Sequence, residues 1–254
     1  DCKKIAEKLD APVCNGYQHN DSFPGSHPLA VGPLGYNGSK AAMQLISKAD
    51  VILALGTRLN PFSTLPGYGI DYWPKEASII QVDMNPDRIG LTKKVTVGIC
   101  GDAKMVSQQL LAKLSEKAGN NGREDRKNLI HQTKSAWLQT LSGLDHEDDD
   151  PGTVWNKEAR ERDKDRMSPR QAWRAIQTAM PDDAIISSDI GNNCAIGNAY
   201  PTFEKGRKYL APGLFGPCGY GFPSILGAKI GCPKTPVIGF AGDGAFGISM
   251  NEMS

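Results

Sequence analysis

The sequence predicts an α/β protein built from two doubly wound parallel-sheet domains. Three observations carry that expectation. Short, unbroken apolar runs of strand length alternate with stretches of helical spacing in both halves of the chain. The rhythm breaks once, over residues 143–166, where mixed charges replace the apolar periodicity. Tight turns bearing glycine and aspartate follow the apolar runs at once, as strand-to-helix turns do in open parallel sheets.

The elements follow in order. Ser39 stands as a cap before a helix whose apolar positions are Ala42, Leu45, Ile46 and Ala49. Val51-Ile52-Leu53-Ala54-Leu55 runs into Gly56, and an uninterrupted apolar run suits a strand covered on both faces. Ser78–Asp83 reads as a second strand, stopped by Asn85-Pro86-Asp87, and Val95–Ile99 as a third. Asp102 reads as a turn and helix cap ahead of Val106, Leu110, Leu111 and Leu114. Ile130, Lys134, Trp137 and Leu141 lie along another helix. The acidic run Asp145–Asp150 reads as a solvated linker rather than a metal site, because contiguous carboxylates repel and seldom converge on one ion. The domain division is thus 1–145, a charged linker 146–166, and 167–254.

The second half restarts at Ser168-Pro169, an N-cap with proline at the first helical position, and Trp173, Ile176 and Met180 share one face. Ala184–Asp189 is a strand, a glycine-rich segment runs from Gly213 to Gly231, and Pro236–Ala241 is another strand.

Composition narrows the function classes. A chain of 254 residues can bury a sizeable core without staples. Lys and Arg number 29 against 28 Asp and Glu, a net charge of +1, which leaves no electrostatic footprint for nucleic acid and no polybasic face for a membrane. No apolar run approaches the roughly 18 residues of a membrane span. The six cysteines form no C-x-x-C pair, so a structural zinc site is not expected; they read as buried free thiols of a reducing, cytoplasmic setting. Asp1 opens the chain and Ser254 closes it ten residues after Gly244, so the sequence reads as a window onto a longer polypeptide.

Ligands of open parallel sheets sit outside the carboxyl ends of the strands. Two segments occupy such ends: Asp189-Ile190-Gly191-Asn192-Asn193 and Gly242-Asp243-Gly244-Ala245-Phe246. Glycine lets a backbone approach a phosphate, the amides of Asn192 and Asn193 add neutral donors, and Asp243 between two glycines is placed to hold Mg²⁺, a hard cation that shares its oxygen ligands with phosphates. Gly-Asp-Gly carries little alone; the strand before it and the helix-like stretch after it give it context.

At this point the motifs resemble a family. Gly216-Pro217-Cys218-Gly219-Tyr220-Gly221-Phe222-Pro223, then Gly227-Ala228-Lys229, then Ala241-Gly242-Asp243-Gly244 are similar in order and spacing to the diphosphate-binding domain of thiamine-diphosphate enzymes of the acetolactate synthase group. Phe23-Pro24, His27-Pro28-Leu29, Leu53–Arg58 and Gln81–Pro86 resemble that group's middle domain. The stretches 32–40, 60–74 and 188–198 look most like the branch that acts on sulfoacetaldehyde. The resemblance implies a middle domain followed by the start of a diphosphate-binding domain, with thiamine diphosphate and Mg²⁺ as cofactors. It implies Asp243 as the Mg²⁺ ligand; Gly242, Gly244 and Ala245 along the diphosphate; Asn192 and Asn193 against it from the other strand end; and Gly216 and Cys218 at the aminopyrimidine. Cys218 departs from the bulky apolar residue usual there, so the bent cofactor needs support from elsewhere.

The implied activity is acyl transfer in sulfonate degradation, from sulfoacetaldehyde and phosphate to acetyl phosphate and sulfite. Arg58 and Arg207 lie near the motifs but read as surface or packing residues, so no anion-binding arginine is singled out. No residue of this chain is assigned the activating step, which the family gives to a Glu of an N-terminal domain. The family's site forms between subunits, so a homo-oligomer is implied and the chain alone would be inactive. Two alternatives stand beside this reading: an acetolactate-synthase-like carboligase or decarboxylase, and a non-catalytic nucleotide-binding module. Against the latter, no Gly-x-Gly-x-x-Gly follows the Val51–Leu55 strand.

Overall fold

The computed structural model describes residues 1–116, 123–143, 166–213 and 215–253. The acidic run Asp145–Asp150 lies outside the described residues, as does all of the expected linker except Arg166.

The first part comprises α1 (Cys2–Leu9), β1 (Val13–Asn15), β2 (Ala30–Pro33), α2 (Lys40–Ile46), β3 (Val51–Leu55), α3 (Pro61–Thr64), β4 (Ser78–Asp83), β5 (Val97–Cys100), α4 (Ala103–Glu116) and α5 (Arg123–Gly143). Its strands pair in parallel, β1 with β2 and, in a second sheet, β3-β4-β5. The second part comprises α6 (Pro169–Ala179), β6 (Ile185–Ser188), α7 (Asn192–Ala199), β7 (Tyr209–Leu210), α8 (Gly221–Gly231), β8 (Val237–Phe240) and α9 (Asp243–Ser249), with a parallel sheet in the order β7-β6-β8. The parallel sheets and their helices are the α/β class that the alternation predicts.

Local chemistry sets the helix starts. Ser39 Oγ accepts the Ala42 N–H at 3.2 Å, and Ala41, Ala42, Met43 and Leu45 of α2 are buried. Asp102 Oδ1 accepts the Met105 N–H at 2.9 Å, the cap expected for α4. Ser168 and Gln171 form a reciprocal capping box at α6, with Pro169 in the first turn. Among the elements that escape the sequence reading are β1, β2 and α8. β1 and β2 are too short to show alternation. The glycine-rich segment contains α8, whose Pro223 sits in the first turn, where its missing N–H has no partner to lose.

Two strand expectations need correction. β3 is not covered on both faces: it is an edge strand, Val51 is 53% exposed and only Ala54 is buried. The covered strand is the central β4, where Ile79, Gln81, Val82 and Asp83 are buried. β5 begins at Val97 rather than Val95, because the ladder to β4 starts with Ile80 opposite Val97.

One core gathers Phe23, Leu29, Val31, Leu34, Met43, Leu45, Tyr72 and Ile130 between α2, β2 and α5. Another gathers Trp173, Ile186, Phe203 and Tyr209 under α6, as the Trp173–Ile176–Met180 face requires. Each large apolar side chain so buried contributes about 1.5–3 kcal/mol.

Candidate functional site at the paired strand ends

From β6 the chain crosses to β7 on one side, then returns to lay β8 on the other. Such a reversal opens a crevice at the carboxyl ends of the two strands that flank it. Ser188 stands opposite Phe240, and the Asp189 N–H continues the ladder to the Phe240 carbonyl at 2.9 Å, so both strands end at the same level.

The two sequence segments meet there. After β6 the chain turns through Gly191, at φ 102°, into α7. Asn192 is exposed and Asn193 half-buried at the start of that helix. After β8, Ala241 and Gly242 lead into α9. A Cβ on Gly242 would lie 3.3 Å from Asn193 Nδ2, so the Asn193 amide rests against the glycine backbone. Asp243 is exposed in the first turn of α9, where a negative charge is favoured by the helix dipole. A Cβ on Gly244 would meet nothing within 4 Å, whereas Ala245 is buried.

The third segment, Gly216–Gly221, folds over the same edge. Gly216 has φ 70° and donates its N–H to the Pro212 carbonyl at 2.9 Å. Gly219 has φ 87°, which only glycine adopts without strain. Its N–H reaches Asp189 Oδ1 at 3.1 Å, and the Gly221 N–H reaches Asp189 Oδ2 at 2.7 Å. Asp189 also accepts the Ile190 N–H at 2.7 Å and is wholly buried. Ser249 Oγ of α9 donates to the Gly219 carbonyl at 2.8 Å. The sequence flags Asp189 only as part of a strand end. Its inward turn is a tertiary fact, hinted at by a carboxylate that directly follows an apolar strand and precedes a glycine-rich segment.

The cysteine expectation is corrected. All six thiols are free, but Cys100, Cys218 and Cys232 are exposed, and only Cys194 is buried. Cys218 is therefore not a buried filler.

A polar cluster anchors the far side of α7. Tyr17 Oη and Cys194 Sγ lie 2.7 Å apart, and Gln18 Nε2 donates to that sulfur at 2.6 Å. Asn198 Oδ1 accepts the Gln18 N–H at 2.8 Å, and its Nδ2 donates to the Tyr36 carbonyl at 2.9 Å. Asn20 Nδ2 donates to the Asn198 carbonyl at 2.9 Å, and Asp21 Oδ2 accepts the Lys208 and Tyr209 N–H groups. Burial pushes the Cys194 thiol and the Tyr17 phenol up, so both stay protonated and the thiol is a packing group.

Among the described residues no group of three or more His, Cys, Asp or Glu converges as for a metal. Arg58 follows β3 in the other sheet, and Arg207 is exposed. No described helix is long and apolar enough to cross a membrane.

Two family models match this chain: thiamine pyrophosphate enzyme, central domain, over residues 1–110, and thiamine pyrophosphate enzyme, C-terminal TPP binding domain, over residues 189–254. Together they span more than half of it. The chain belongs to the thiamine pyrophosphate enzymes. Its TPP-binding match begins at Asp189 and so takes in Asp189, Asn192, Asn193, Gly216, Cys218 and Gly242–Ala245. Among curated relatives, a probable sulfoacetaldehyde acetyltransferase of Rhizobium meliloti (strain 1021) is 80% identical over 98% of this chain and 42% of its own length. A sulfoacetaldehyde acetyltransferase of Roseovarius nubinhibens is 74% identical over 99% of this chain and 42% of its own length. A probable acetolactate synthase large subunit of Methanococcus aeolicus is 29% identical over 98% of this chain and 40% of its own length. This thiamine pyrophosphate enzyme chain thus spans well under half the length of the curated relatives it matches.

Proposed function

We propose that this chain is part of a thiamine-diphosphate- and Mg²⁺-dependent acetyltransferase that converts sulfoacetaldehyde and phosphate into acetyl phosphate and sulfite. The observation that carries the reading is the 80% identity to a relative named for that activity, against 29% to an acetolactate synthase subunit.

In this reading Asp243 holds Mg²⁺. The residues present fit that ion: Asp243 offers an exposed carboxylate, and Mg²⁺ takes only one or two protein carboxylates, with phosphate and water oxygens for the rest. Asn192 and Asn193 donate amide hydrogens to the diphosphate. Gly242 and Gly244 put no side chain between backbone and phosphate, and the buried Ala245 lines the diphosphate through its backbone. Gly216 and Cys218 face the aminopyrimidine, and the exposure of Cys218 leaves it free to do so. Bound there, the cofactor supplies the carbanion chemistry that acetyl transfer requires. The division into 1–145, 146–166 and 167–254, a homo-oligomeric holoenzyme and a cytoplasmic setting, which six free thiols suit, belong to the same reading.

The test is an assay of the full-length polypeptide carrying this chain. With sulfoacetaldehyde, phosphate, thiamine diphosphate and Mg²⁺ it is expected to release sulfite and form acetyl phosphate in equal amounts, and to form no acetyl phosphate when phosphate is omitted. Turnover of pyruvate without sulfite release would replace the proposal with the carboligase reading.

A further inference from the structure

We infer that Asp189 and Ser249 are positioning residues for the cofactor's ring: they clamp the Gly216–Gly221 turn from two sides and fix where Gly216 and Cys218 present themselves. The inference rests on the reading of those two residues as aminopyrimidine contacts. Asp189 closes the end of β6, and its two carboxylate oxygens take the Gly219 and Gly221 N–H groups at 3.1 and 2.7 Å. Ser249 reaches across from α9 to the Gly219 carbonyl at 2.8 Å. The turn is therefore tied to both elements that frame the crevice. It has little room to shift: a Cβ at Gly221 would stand 3.0 Å from Asp189 Oδ2, and one at Gly219 would stand 2.9 Å from Ile248 Cγ2. Gly219 and Gly221 donate to different oxygens of that carboxylate, so an amide in its place presents its NH₂ to one of the two donors. With its oxygen kept toward Ile190 and Gly219, Asp189→Asn sets its NH₂ against the Gly221 N–H and displaces the turn, which contains none of Asn192, Asn193, Gly242 and Asp243.

The consequence is a split between the two ends of the cofactor. In the full-length enzyme, calorimetric titration with Mg²⁺ present is expected to show Asp189→Asn weakening thiamine diphosphate about tenfold or more. Inorganic diphosphate, which probes the phosphate end alone, keeps its affinity. Ser249→Ala, a milder change, is expected to give the same split about threefold, and it carries the test if Asp189→Asn fails to fold. Equal loss for both ligands, or loss for neither, overturns the positioning role. Failure of the unsubstituted enzyme to bind thiamine diphosphate instead overturns the function proposed above.

Discussion

Asp243 sits at the open edge of the crevice with little to hold up. Asp243→Ala forfeits a favourable charge at a helix N-terminus, so stability is expected to fall by under about 1 kcal/mol in chemical denaturation, while Mg²⁺-dependent binding of thiamine diphosphate falls about a hundredfold or more. Cys14 is the opposite case. Its Sγ lies 3.9 Å from the Ala42 carbonyl, and burial pushes the thiol up to about 12 from an ordinary 9.0. In the folded protein at pH 9, iodoacetamide is therefore expected to alkylate Cys100, Cys218 and Cys232 and spare Cys14, as peptide mass spectrometry would register. The unfolded thiol ionises first, so the contribution of Cys14 to stability is full below pH 9 and declines between pH 9 and 12. Single residues were legible where their chemistry is local. Asp243 announces itself between two glycines after a strand. Asp189 and the three exposed cysteines do not, because burial is decided by segments far away in sequence.

Among the elements, α2, α4 and α6 could be read from the sequence because a cap and the helix it starts are neighbours in the chain. Ser168 tests that logic. Ser168→Ala removes the acceptor for the Gln171 N–H, at 3.1 Å, and breaks the reciprocal box; a loss of about 1 kcal/mol in urea denaturation is expected, with cofactor binding unchanged. α8 hid because Gly and Pro usually punctuate loops, whereas here Gly221 lets the helix start close to the end of β6: a Cβ there would press on the Asp189 side chain. β3 misled for a related reason. An apolar run records that a strand is hydrophobic but not what covers its faces, and of β3 only Ala54 is buried.

At the scale of the molecule, the paired strand ends depend on a polar clamp between the two parts. Asn198, wholly buried, accepts the Gln18 N–H and donates to the Tyr36 carbonyl. Asn198→Ala leaves the buried Gln18 N–H without that partner, at a cost of about 1–3 kcal/mol. A clear drop in melting temperature is expected, together with faster amide exchange at Gln18 and along α7; an unchanged exchange pattern would show the clamp to be dispensable. None of these pairings is visible in a linear reading, which sets the two turns at strand ends but cannot say what lies behind them. The same clamp imposes an order on biosynthesis. Gln18 and Asn198 are 180 residues apart, so at roughly 5–20 residues per second the first waits on the order of ten to forty seconds for the second to be made. Until then the Gln18 N–H has no Asn198 to bond, so the crevice acquires its final shape only after Asn198 has been made.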